Sequence, residues 1–356
     1  MNELELYLKE TGELVETYRL AHPVFPLKPA ELQEGTFSYF LRGGKRLRPA
    51  LVRLAAGAVG GEKAESLVIP LALGLELYHN WTLIHDDVID HDLTRRGRDS
   101  VHAAVAKAFS SFEKSAEYGE DVAILAGDAL HSAALFYLAS LSDSGAVSPL
   151  VTLAIIKELE GCFGLRLISG ETLDTKNGLL SADRFWEVPE ADVMEMIAGK
   201  TGALFGISVL SGAFAGQNRA ERTPEALALL EFAEKSGVAF QIRDDILGLT
   251  ADEKKLGKPL FSDLREGKIT PLLLFAYRRS NEQDKAYLRS VIGKTSEEKA
   301  LLRAREILFS SGGVDEAARL ADAYLAEADA ALGRLPDSRA KGLLQALSDF
   351  LLKRDR

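Results

Sequence analysis

Apolar residues recur at spacings of three and four along nearly the whole chain, in segments rich in Ala, Leu, Glu and Lys, and alternating β-branched runs are nearly absent. The pattern predicts an all-α protein. Within residues 1–41 helical segments are interrupted by Pro23, Pro26 and Pro29. A helix resumes near Ser66 and runs through Pro70, which a first turn accepts, to a run of aspartates at 86–90. Core helices are expected over 121–142 and 151–168, and another over 192–215. Thr223 and Pro224 open a helix extending toward Leu249, Thr270 and Pro271 open the next, and Gly312-Gly313 and Leu335-Pro336 separate the last amphipathic ones. No low-complexity linker divides the chain, so residues 1–356 are read as one domain.

The first helix of chemical interest ends in Leu83-Ile84-His85-Asp86-Asp87-Val88-Ile89-Asp90. At roughly 100° per residue Asp86 and Asp90 share a face, with Asp87 on the flank. Like charges at that spacing repel, and neighbouring Val88 and Ile89 make the repulsion worse, so a cation is required between them. Paired carboxylates suit a hard ion such as Mg²⁺, held jointly with a substrate phosphate. A solvated acidic helix end is the plainer account of the triplet alone.

Other polar positions extend the pattern. Arg42-Gly43-Gly44-Lys45-Arg46-Leu47-Arg48 sets four cations around a glycine pair, and Arg95-Arg96-Gly97-Arg98 forms a second basic loop after the aspartates. His79 lies about two turns before Asp86, on nearly the same face, where a core histidine is the plainer reading. Lys200 breaks an apolar helix and needs an anion, with Glu171 and Asp174 one turn apart upstream. A second pair, Asp244-Asp245, stands late in an apolar helix after Gln241, and a glycine-punctuated basic loop follows through Lys258 to Asp263. There is no catalytic serine, thiol or phosphate-binding glycine loop.

Composition narrows the classes. With 53 acidic and 43 basic residues the formal charge is −10, which disfavours nucleic acid as a partner. The single Cys162 excludes an intrachain disulfide and reads as a core residue in a reducing compartment. The N-terminus carries acid where a signal peptide carries base, and the apolar run from Leu67 to Ile84 is broken by Glu76, His79 and Asn80. No membrane span and a cytoplasmic location are therefore expected.

Taken together, these motifs resemble the trans-type isoprenyl diphosphate synthases, in family order and over nearly the whole chain. The resemblance implies an isoprenoid synthase fold, with many antiparallel helices around a deep central cavity, a homodimer, and facing aspartate motifs that hold three Mg²⁺ ions. It implies Asp86, Asp90 and Asp244 as metal ligands, with Asp87, Asp245 and Lys200 also in the catalytic set. It implies Lys45, Arg48, His79 and Arg96 for isopentenyl diphosphate, and Arg95, Lys200, Thr201, Gln241 and Lys258 for the allylic diphosphate. Such an enzyme ionises the allylic ester, lets the isopentenyl double bond attack the cation and releases a proton. Bulky Tyr78 and Trp81, with Thr82, set an early floor below the first aspartates and predict a short product, geranylgeranyl ahead of farnesyl diphosphate.

Two positions depart from the family pattern: Gly248 stands where many members have a third aspartate, and Glu171 where glutamine is common. Three rivals remain. A terpene cyclase would carry an Asn, Ser and Glu triad in place of Asp244-Asp245, and a metal phosphohydrolase using His85 and His91 would leave Lys45 and Asp244-Asp245 idle. A catalytically silent subunit of a heteromeric synthase would not turn over alone.

Overall fold

The computed structural model describes residues 2–250 and 261–352. Helices account for most of them: α1 (Glu3–Ala21), α2 (Ala30–Leu41), α3 (Leu47–Gly60), α4 (Glu62–Leu67), α5 (Ile69–Ile89), α6 (Val101–Ala108), α7 (Ser115–Ala139), α8 (Pro149–Glu158), α9 (Gly164–Arg184), α10 (Glu190–Ile197), α11 (Ala203–Gln217) and α12 (Pro224–Thr250). A five-residue helix, α13 (Ser262–Glu266), and further helices from Pro271–Arg279 to Arg339–Leu352 complete the chain. Among the described residues the strands are a short antiparallel pair, Thr94–Arg95 with Arg98–Asp99, turning at Arg96-Gly97.

The helix starts follow local chemistry. Ser148 and Thr270 accept hydrogen bonds from Leu150 and Leu273 ahead of first-turn prolines, and Thr223 does the same for Ala226. Two segments that read as single helices are interrupted instead: π-helical turns occupy Leu159–Phe163 and Ala198–Gly202. A wider turn of this kind is a common marker of functional positions. Cys162 sits in the first of them and is only half-buried, which corrects its reading as a core residue.

The chain divides into two compact units. The first comprises the residues up to Leu159 together with Ile207–Leu229 and Leu335–Leu344. Its central helix is α5, whose Leu71, Leu73, Leu75 and Leu77 are all fully buried. Each such side chain contributes about 1.5–3 kcal/mol of burial energy. α5 packs most extensively on α7, and the two approach closely where a Cβ on Gly127 would come within 2.1 Å of His85 Nε2. The second unit, Glu160–Gly206, Leu230–Arg334 and the residues from Gln345, has its core around Ile242 and Ile246 of α12 with Ile197, Leu273, Leu301 and Leu325.

Two helical stretches, Ser115–Ser142 and Glu190–Gln217, have the length and hydropathy of a membrane span. Half of the first apolar window and 78% of the second are buried within the protein, as in core helices.

Candidate functional site

Site residues expected from the sequence fall into two clusters, one in each unit. In the first unit Asp86, Asp87 and Asp90 close the C-terminal turn of α5, Asp90 being its cap. Asp87 is fully buried. The cation required among these carboxylates is supplied by Arg95: its Nε donates to Asp87 Oδ1 at 2.7 Å, its Nη2 bonds the same oxygen and Asp86 Oδ2 at 3.2 Å, and Asp92 lies at 3.5 Å. Burial by itself would lower the pKa of Arg95, but the bonds and charges of Asp87, Asp86 and Asp92 outweigh it and raise the value. Burial likewise pushes the Asp87 carboxyl up, against the opposing pull of Arg95 and Tyr39.

Tyr39 is a site residue that the sequence does not reveal. Its hydroxyl donates to Asp87 Oδ2 and accepts from Val101 N at 3.2 Å, tying α2, α5 and α6 together. A tyrosine within an apolar helical run reads as core, so no signal marks it. Arg42 lies over the Tyr39 ring, 4.9 Å from its centroid, and donates to Arg95 O at 3.3 Å.

The basic loop between α2 and α3 separates into two roles. Arg46 turns inward to Glu76 at 2.7 Å and Phe40 O at 2.6 Å, where both side chains of the ion pair are nearly buried. Lys45 remains exposed, and Arg48 enters the first turn of α3. Arg96 donates to Tyr39 O at 2.9 Å and to Gly43 O, and its guanidinium packs over Gly44, where a Cβ would come within 3.2 Å of it. Arg48, Arg96 and His79 are close enough to interact electrically. Burial, then the charges of Arg48, Arg96 and Arg95, holds His79 well below the ordinary imidazole value, so it is neutral near pH 7. Burial also lowers Arg48 to about 10.

Tyr78 and Trp81 lie on α5 before the aspartates, with ring centroids 4.8 Å apart. His131 of α7 stacks obliquely on both, at 5.3 and 4.7 Å, and His85 is 5.8 Å from Trp81. His85 is pinned in turn by Ile124 O at 3.0 Å. The expected floor is therefore an aromatic cluster built from two helices, in which His131 is an addition. Thr82 spends its hydroxyl on its own helix, bonding His79 O at 2.8 Å.

In the second unit the π-helical turn displays Lys200 and Thr201. α9 crosses it at two glycines: a Cβ on Gly170 would meet Lys200 N at 2.3 Å, and one on Gly199 would meet Arg166 O at 2.6 Å. That approach seats Lys200 Nζ against Asp174 at 2.6 Å and Glu171 at 3.0 Å. Thr201 Oγ1 donates to Gln241 Oε1 at 2.7 Å, and Gln241 Nε2 donates to Asp245 Oδ1 at 2.9 Å. Asp245 is buried, and burial followed by the charge of Asp263 raises its carboxyl pKa well above the usual range. Asp244 next to it is exposed. Lys258 lies outside the described residues.

Among the described residues no three His, Cys, Asp or Glu side chains are gathered into a ready-made metal cage. Aspartates at the ends of two apolar helices, flanked by guanidinium and ammonium groups, instead match an ion that arrives with a phosphate and keeps part of its hydration. The donor set is all oxygen and fits Mg²⁺. The same arrangement of cations and hydroxyl donors can bind phosphoryl oxygens and stabilise charge developing on them.

Comparison with known proteins gives a consistent picture. The family model described as polyprenyl synthetase matches residues 30–308. A geranylfarnesyl diphosphate synthase of Aeropyrum pernix is 35% identical over 330 residues, covering 92% of this chain and 96% of the relative. The crystal structure of geranylgeranyl pyrophosphate synthetase from Pyrococcus horikoshii superposes with a TM-score of 0.85 at 34% identity, over 99% of this chain and 98% of that one. A geranylgeranyl pyrophosphate synthase from Corynebacterium glutamicum, complexed with isoprenyl diphosphate and magnesium, gives 0.84 at 27% identity, over 99% and 100% of the two chains.

Proposed function

Because the chain belongs to the polyprenyl synthetase family and is a short-chain trans-prenyltransferase, we propose that it condenses isopentenyl diphosphate with an allylic diphosphate to give geranylgeranyl diphosphate, in a magnesium-dependent reaction. The observation that carries this reading is the Asp86–Asp87–Arg95 cluster: acidic groups at the end of an apolar helix, held ready by a guanidinium that a metal-bound diphosphate can draw away. Asp86, Asp90 and Asp244 are the proposed magnesium ligands. Bound magnesium supplies the positive charge that stabilises a departing diphosphate.

The protein's own groups account for the rest. Lys45, Arg48 and Arg96 hold the diphosphate of isopentenyl diphosphate, and His79, neutral at working pH, offers it a hydrogen bond without another charge. Arg95, Lys200, Thr201, Gln241 and Lys258 receive the allylic diphosphate, Arg95 and Lys200 exchanging their carboxylate partners for it. When the allylic carbon–oxygen bond breaks, its electron pair leaves with the diphosphate. The isopentenyl double bond then forms the new carbon–carbon bond, and a proton lost from the adjacent carbon to the departed diphosphate restores an alkene. Buried aliphatic walls keep water from the cation.

Tyr78, Trp81 and Thr82 form the proposed floor, with the aromatic contact to His131 as support for a short product. Residues 1–356 are proposed to act as one polyprenyl synthetase domain, a reading supported by a family match that runs through both units. A homodimer in the cytoplasm is proposed as the working form. Exposed Ile124, Leu125 and Phe136 on α7 support the pairing.

Incubating the purified protein with Mg²⁺, labelled isopentenyl diphosphate and dimethylallyl, geranyl or farnesyl diphosphate in turn should give geranylgeranyl diphosphate on chromatography. Absence of any prenyl product from all three primers would overturn the reading and favour a silent subunit.

A further inference from the structure

Lys200 is shared between two carboxylates where one would balance it. Its Nζ lies 2.6 Å from Asp174 Oδ2 and 3.0 Å from Glu171 Oε2, and Glu171 Oε1 is a further acceptor at 3.2 Å. The side chains of Lys200, Glu171 and Asp174 are 23%, 19% and 11% exposed, so water screens their charges only in part. Asp174, the nearer partner, already orients the ammonium and matches its charge. Glu171 brings a second negative charge to the same nitrogen.

The backbone is arranged to deliver both carboxylates together. Glu171 and Asp174 stand one turn apart on α9 and present their side chains from one face. Gly170, next to Glu171, lets that face approach until a Cβ would meet Lys200 N at 2.3 Å. Like charges at this spacing repel, and the ammonium between them relieves the repulsion. The surroundings are acidic as well: burial, then the charges of Asp263, Asp244 and Asp174, raise the carboxyl pKa of Asp245 against the bond from Gln241.

A diphosphate that reaches Lys200 without metal has to draw the ammonium from Glu171 and then lie beside the carboxylate it has displaced. Both effects oppose binding. A divalent cation arriving with the diphosphate cancels much of the second.

We propose that Glu171 is a positioning residue that withholds Lys200 from a free diphosphate, so that this site accepts the allylic diphosphate only together with its divalent cation. The inference rests on the allylic-diphosphate reading of Lys200 above. In this division of roles Asp174 keeps the ammonium in place, and Glu171 sets which anion can take it.

Glu171→Gln keeps the length of the side chain and one acceptor oxygen while removing the charge. Calorimetric titration with inorganic pyrophosphate, in excess chelator and again in Mg²⁺, tests the inference on the wild type, Glu171→Gln, Lys200→Ala, and Lys200→Ala with Glu171→Gln. Without metal, Glu171→Gln should bind pyrophosphate roughly 5- to 20-fold more tightly than the wild type. In Mg²⁺ that gain should shrink, and in the Lys200→Ala background it should vanish, because the two residues act as one coupled pair. A merely structural partner of Lys200 would instead lower Tm on substitution and leave the metal-free affinity unchanged. That result, a gain undiminished by Mg²⁺, or an equal gain with and without Lys200 overturns the inference alone. A wild type that binds no pyrophosphate even in Mg²⁺ overturns the allylic-diphosphate reading, and the inference with it.

Discussion

Asp87 has three polar neighbours besides its burial, and they do not act alike. Arg95 brings a charge, Tyr39 a directed hydrogen bond, and Asp86 a like charge that works with burial to raise the carboxyl pKa. Tyr39→Phe keeps the ring packing and removes the buried hydroxyl, leaving one oxygen of a buried carboxylate without its donor. Loss of a bond to a charged group should cost about 1.5–3 kcal/mol, measured by chemical denaturation; a loss within error of zero would show that Arg95 alone holds Asp87. His79 gives a pH prediction of definite sign. Its folded pKa lies well below 6.5, so below about 6.5 the unfolded chain takes up a proton that the folded protein refuses. The contribution of His79 to stability therefore falls as pH drops through 6.5 and stops falling only below the folded pKa. Unfolding free energies of wild type and His79→Gln, compared from pH 7.5 to 5, should show the steeper acid loss in the wild type.

Between elements, close crossings decide which side chains meet. α9 reaches Lys200 because Gly170 and Gly199 leave no Cβ between the backbones. Gly170→Ala would drive a methyl to 2.3 Å from Lys200 N, so the helices must part. Overpacking of that kind costs typically about 1–3 kcal/mol, and it also draws Lys200 from Asp174, so kcat should fall further than the lost stability explains. α5 and α7 meet through Trp81 and His131, and if the proposed floor stands there Trp81→Ala should lengthen the products in a labelled isopentenyl diphosphate assay; an unchanged distribution rejects that floor. How legible these features were depends on their range. Helix class, the proline-opened starts at 224 and 271, and the charged runs are local in sequence, and they were readable. The π-helical turn at Ala198–Gly202 was not: it lies where α9 packs closely, a contact that is not local in sequence. The Asp87 contact of Tyr39 and the place of His131 beneath Trp81 are joined across 48 and 50 residues, and nothing in either local run announces them.

At the level of the whole protein, a formal charge of −10 and acidic sets in both units raise the question of what holds the fold without metal. Built-in partners answer it. Arg95 bridges Asp86 and Asp87, Lys200 bridges Asp174 and Glu171, and Gln241, oriented by Thr201, donates a hydrogen bond to Asp245. Under the proposed function, metal is therefore expected to be required for the reaction but not for folding. Dialysis against a chelator should abolish prenyl transfer and leave both the helical circular dichroism signal and Tm essentially unchanged. Restoring Mg²⁺ alone should move Tm little, because the ion has to displace a buried guanidinium to gain its ligands. Mg²⁺ with inorganic pyrophosphate should differ, since on the proposed assignment a diphosphate offers Arg95 and Lys200 oxygens in place of their carboxylates. At a hundredfold excess over Kd that ligand pair stabilises the folded state by about 2.7 kcal/mol, read as a rise in Tm. If the chelated protein instead loses helix, the acidic sets depend on metal for folding, and the counter-ion role assigned to Arg95 and Lys200 fails.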